Sequence, residues 1–164
     1  MPNPRWALAA AVALVAACVG DQSRSQGSPW LTDEDFRVAG LEDDADSAAV
    51  LLVLGEPDSI ISLPDPDDPD VELLAWAYPD LAVAFGEGGI RYGVTLIAPG
   101  VATRRGLKVG DARARLVELY GRPPHAFGAT WDYLAPDDED GLHVMRVGFD
   151  GDRVSWIFLG WLLE

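Results

Sequence analysis

The sequence predicts an α+β fold of two tandem α-β-β-β units, with the helices packed on one face of an antiparallel sheet. Three observations carry that expectation. Gly40-Leu41 recurs as Gly106-Leu107, and Gly55-x-Pro57 recurs as Gly121-x-Pro123, both at a spacing of 66 residues. Two alternating apolar runs, Leu81-x-Val83-x-Phe85 and Met145-x-Val147-x-Phe149, stand 64 residues apart, and each enters a tight turn. Self-similarity at a fixed interval marks a structural unit used more than once.

In chain order, residues 1–17 read as a secretory signal. Arg5 and the free amine supply the positive end, and Trp6 to Ala17 is an apolar stretch too short to span a bilayer. It closes on Val15-Ala16-Ala17-Cys18, which has the form of a bacterial lipobox. Cys18 would then become a lipidated N-terminus, and several acyl chains anchor where one would not. Val19 follows the cysteine where Asp would signal inner-membrane retention, so the periplasmic face of the outer membrane is the expected location. Loss of the signal removes Arg5 alone among charged residues and takes the formal charge from -15 to -16. Residues 18–32 form an expected polar tether, with Trp30 and Leu31 the first to dock.

The first unit is assigned to residues 33–100. Asp46 or Ser47 caps a helix, Val50 to Leu54 is apolar all round, and Gly55 with Pro57 stops it. Trp76-x-Tyr78 and Leu81 to Phe85 read as strands, Gly86-Glu87-Gly88-Gly89 as a turn, and Ile90 begins the return. The second unit, residues 101–164, repeats the order. Asp111 caps, Leu116, Leu119 and Tyr120 make an apolar stripe, and Gly121 and Pro123 end the helix. Trp131-x-Tyr133 and Met145 to Phe149 follow, then an Asp150-Gly151 hairpin signal and a strand from Val154. In that last strand Val154, Trp156 and Phe158 alternate with Ile157, Leu159 and Trp161, so both faces are apolar. Either the segment around Trp30 covers the second face, or that face is an exposed aromatic platform.

The run Thr103-Arg104-Arg105-Gly106-Leu107-Lys108-Val109-Gly110-Asp111, followed by Leu119-Tyr120-Gly121-Arg122-Pro123, resembles a pattern in bacterial envelope proteins. These are the small lipoproteins of the outer-membrane barrel-assembly machinery (SmpA/OmlA type) and the beta-lactamase inhibitory protein. The resemblance spans about Phe36 to Gly160 and implies a helix-on-sheet fold with a non-catalytic, protein-binding role. The chain lacks the disulfides of the inhibitory protein, and no functional residue is carried over.

Twelve Lys and Arg stand against 27 Asp and Glu among 164 residues, 49% of them hydrophobic. So acidic a chain repels nucleic-acid phosphates and anionic headgroups. One cysteine excludes an intramolecular disulfide framework and a thiolate zinc cage. Catalytic motifs are missing: His125 and His143 are the only histidines, no Gly-x-Ser-x-Gly elbow occurs, and the glycines at 86–89 lack a following helix or Walker lysine. The expectation is therefore a protein that is not an enzyme and carries no cofactor beyond lipid on Cys18. Its partner is expected to be another envelope protein, with the membrane reached through the lipid anchor only. Trp76, Tyr78, Trp131, Tyr133 and Trp156 are the candidate partner anchors, because large rigid aromatics dominate interface energetics. The alternative is a calcium-responsive envelope protein using the acidic loops 65–70 (Asp65, Asp67, Asp68, Asp70) and 137–140. Charge is also segregated. Residues 38–90 hold thirteen acidic side chains and no basic one, while 91–122 hold seven basic against Asp111 and Glu118.

Overall fold

The computed structural model describes residues 30–64, 72–136, 138 and 140–162. A 3-10 turn, Asp33–Phe36, leads to α1 (Ser47–Leu54) and four strands, β1 (Ser59–Pro64), β2 (Glu72–Ala77), β3 (Leu81–Phe85) and β4 (Arg91–Leu96). Then come α2 (Arg113–Tyr120), β5 (His125–Phe127), β6 (Thr130–Leu134), β7 (His143–Asp150) and β8 (Arg153–Trp161). All eight strands belong to one antiparallel sheet in the order β1-β2-β3-β4-β8-β7-β6-β5.

This corrects the expected class. The described residues form a single eight-stranded sheet with two eight-residue helices, not two tandem α-β-β-β units. Two features of the chain account for the difference. After each Gly-x-Pro stop the backbone enters a strand that carries no alternating burial: β1 exposes both Ile60 and Ile61, and all three residues of β5 are exposed. Pairing of β4 with β8 then joins the strands that follow α1 and those that follow α2 in one continuous sheet.

Local chemistry explains the helix boundaries. The Asp46 carboxylate accepts the Ala49 N–H at 2.8 Å, the capping bond an N-terminal Asp is suited to make. Gly55 (φ 79°) and Gly121 (φ 71°) close the two helices, each donating its N–H back into the last turn. Asp111 does not cap α2: it accepts the Lys108 N–H in the preceding turn, and Ala112 takes the capping position without a side-chain bond.

The core lies on the face that both helices cover. Val83, Phe85, Val94, Leu96, Ile157, Leu159, Met145 and Val147 meet Val50 of α1 and Leu116 and Tyr120 of α2 there. The N-terminal segment joins this same core through Leu31 and Phe36, with the Leu31 N–H on the Leu134 carbonyl. It therefore does not cover the opposite face. Asp35, 2% exposed, locks the segment down. Its carboxylate takes two bonds from Arg105, at 2.8 and 2.7 Å, and caps the Thr32 backbone at 2.8 Å. The Arg105 guanidinium also lies 4.6 Å above the Tyr120 ring, whose hydroxyl donates to Thr103. Breaking so buried a bidentate pair costs about 3–5 kcal/mol, against about 0.3–0.5 kcal/mol for a surface helical pair such as Arg115–Glu118. Among the described residues no helix is long and apolar enough to cross a membrane.

At the β4–β8 seam Gly93 faces Gly160. A Cβ on Gly160 would stand 2.1 Å from the Tyr92 carbonyl oxygen, and its φ of 149° is one that L side chains seldom adopt. Gly160→Ala is expected to cost about 3 kcal/mol or more in urea unfolding, strain and overpacking combined. Gly128→Ala, also at positive φ but with open space around it, is expected to cost about 1 kcal/mol. Equal losses at the two sites would remove the close-approach explanation.

Candidate functional site: the open face of the sheet

Opposite the helices, Ala82, Thr95, Phe158, Arg146 and Asp132 follow one another across β3, β4, β8, β7 and β6. Small and aromatic residues alternate on this surface for a steric reason. A Cβ on Gly93 would stand 2.5 Å from the Phe158 ring, one on Gly148 2.1 Å from the Trp156 ring, and one on Gly86 2.2 Å from the Tyr92 ring. Each glycine thus makes room for an aromatic ring, and Gly93 and Gly148 lie within strands, where a glycine often marks such a close approach. The rings border an apolar groove of about 360 Å³ in which Leu73, Trp161 and Leu162 join Tyr92, Trp156 and Phe158.

An ion pair borders the groove at Arg146. Arg146 donates to both carboxylate oxygens of Asp132 at 2.8 Å. The hydrogen bond to that carboxylate outweighs partial burial and holds the guanidinium above its ordinary pKa. The cation is thereby neutralised in place, so the groove offers apolar surface with a fixed dipole at one side rather than a free charge.

Of the expected anchors, only Trp156 stands on this face. Tyr133 is corrected outright: it is fully buried, its hydroxyl donates to the Gly121 carbonyl at 2.9 Å, and burial pushes its pKa well above the usual tyrosine value. Such a side chain ties β6 to the end of α2 and has no surface to present. Trp131 is half-buried on the helix-bearing face, edge-on to Phe149 at 5.2 Å and under the Arg113 guanidinium at 5.1 Å. Trp76 packs on Phe85 at 4.7 Å, and Tyr78 donates to the Gly55 carbonyl at 3.1 Å. These four aromatics therefore serve the core side. The face they share is the one under the helices.

His143 is equally accounted for. Its ring is stacked between Phe36 at 3.8 Å and Trp161 at 4.3 Å, and its Nε2 lies 3.3 Å from Asp43. Burial would raise the Asp43 pKa, but His143 and the buried Arg91, which donates to Asp43, together lower it. This is a clasp between the loop before α1 and the ends of β4 and β7, not a polar cleft. Asp65, Asp67, Asp68 and Asp70 lie outside the described residues, as do Asp137, Glu139 and Cys18. Asp138 is described, and it accepts the His143 N–H at 2.6 Å. Among the described residues no group of three or more His, Cys, Asp or Glu is placed to hold a metal ion.

No family model matches the chain, and no curated protein matches it. A solved structure that does match is an extracellular protein containing an SCP domain from Bacillus anthracis str. Ames, at 11% identity and a TM-score of 0.46. The match covers 71% of this chain and 43% of that one, so this chain spans less than half the neighbour's length.

The ring-over-glycine arrangement has a measurable signature. Gly148→Ala is expected to cost about 1–3 kcal/mol because the Trp156 ring must leave its seat. In the double variant with Trp156→Ala most of that cost should vanish, a coupling of about 1 kcal/mol or more. Additive losses in the double-mutant cycle would mean that the ring and the glycine are independent.

Proposed function

We propose that this chain is an exported, lipid-anchored binding module, without catalysis of its own, that holds another envelope protein against the open face of its sheet. One observation carries the reading: an apolar groove of about 360 Å³, framed by Tyr92, Trp156 and Phe158, on the face that no helix covers among the described residues. Large rings already seated over glycines lose little conformational freedom on binding, which favours their use as anchors.

Other features support the same reading. Val15-Ala16-Ala17-Cys18 would place a lipid at the start of the mature chain, and residues 19–29 would separate that anchor from the folded body. The periplasmic face of the outer membrane is the location this favours. A formal charge of -15 steers a basic protein surface toward the chain and works against nucleic acid. The resemblance to small envelope lipoproteins and to an inhibitory protein agrees with a partner that is itself a protein.

The test is co-purification from detergent-solubilised membranes of the native organism, with the full chain carrying Cys18→Ser as bait. A partner retained by that bait should be lost about tenfold or more when Phe158→Arg is added, while Phe127→Arg, at an exposed residue of β5, leaves recovery unchanged. Melting curves of both variants establish that each is folded. Equal recovery with both variants would contradict the assignment of this face.

A further inference from the structure

We infer that the β1 edge of the sheet is a second docking site, for an extended segment of another protein with alternating apolar residues and lysine or arginine among them. The inference is independent of the open-face groove. β1 pairs with β2 on one side only, and no strand flanks its other side among the described residues. An edge of this kind presents a row of backbone donors and acceptors that another strand can satisfy.

Protein edges are ordinarily guarded by shortness, charge or an interior proline. The opposite edge of the sheet obeys that rule, since β5 has three residues. β1 does not. It has six residues, Ser59-Ile60-Ile61-Ser62-Leu63-Pro64, none of them charged, with its proline at the last position. Ile60 is 59% exposed and Ile61 48% exposed. They lie on opposite faces, since Ile60 aligns with Trp76 and Ile61 with Ala75. An added strand would therefore meet an apolar side chain above and below the sheet.

Charge selects the occupant. Residues 38–90 contain thirteen acidic side chains and no basic one, and Glu56 and Asp58 directly precede β1. A second copy of this chain would bring the same acidic half against itself, and an anionic membrane surface would be repelled. A strand carrying lysine or arginine gains from that field at the rim while its apolar residues meet Ile60 and Ile61.

The experiment uses the full chain carrying Cys18→Ser with two synthetic peptides, one alternating lysine with valine and one alternating glutamate with valine. Binding is read by fluorescence anisotropy, and its place by hydrogen exchange. The lysine peptide is expected to bind, to slow exchange at the amides of Ser59 to Leu63, and to weaken as salt rises. Ile61→Lys should weaken it about tenfold or more, and Ile61→Thr serves the same purpose if the lysine variant fails to fold. The glutamate peptide should not bind. No binding by the lysine peptide, equal binding by both, or protection confined to other strands would overturn the inference. So would protection of Ser59 to Leu63 that grows with protein concentration without peptide, which would give the edge to a second copy.

Discussion

The pairing of β4 with β8 is the constraint on which the rest depends. It joins residues 91–96 to residues 153–161, and among the described strands it is the pairing that connects those following α1 with those following α2. Across it runs the core, from Val94 and Leu96 to Leu159 and Ile157. Across it also runs the open-face row from Ala82 to Asp132. The seam closes only because Gly93 and Gly160 let the two backbones and the Phe158 ring come together. Contacts so distant in sequence close at an entropic cost, and the continuous platform is a property of the complete fold rather than of either half.

Individual elements were legible in the sequence, but the architecture they build was not. Gly55 and Gly121 marked the helix ends because few other residues take the left-handed position there, and the runs at 81–85 and 145–149 alternated cleanly enough to read as strands. What escaped was whatever alternation does not encode. β1 and β5 are edge strands with exposed side chains, so no buried periodicity announced them. The link between β4 and β8 escaped as well, because a repeated pattern says nothing about which strand ends up beside which.

The candidate site was legible to a similar degree. Alternation groups side chains by face, but it does not say which face the helices cover. Tyr133 and Trp131 looked equivalent to Trp156, yet they lie beneath α2 and Arg113 while Trp156 lies opposite. The better signal was glycine inside strands. Gly93 and Gly148 weaken their strands unless something needs the space, and what needs it is Phe158 and Trp156. Charge segregation also had an internal meaning that the linear pattern left open. Arg91 pairs with Asp43, Arg105 with Asp35 and Arg146 with Asp132. Three of the twelve cations are thus committed to holding the fold, and the surplus of carboxylates is what a partner approaching from solvent meets.

The most direct measurement is photo-cross-linking in the native envelope. A photoactivatable phenylalanine analogue would be placed at Phe158 in the full, unmodified chain and, separately, at Phe127. If the open face holds a partner, illumination yields one discrete adduct from position 158 and none at that mass from position 127. Absence of any adduct from position 158, in chains shown to be folded and exported, would contradict the claim that this face of the sheet is where the protein does its work.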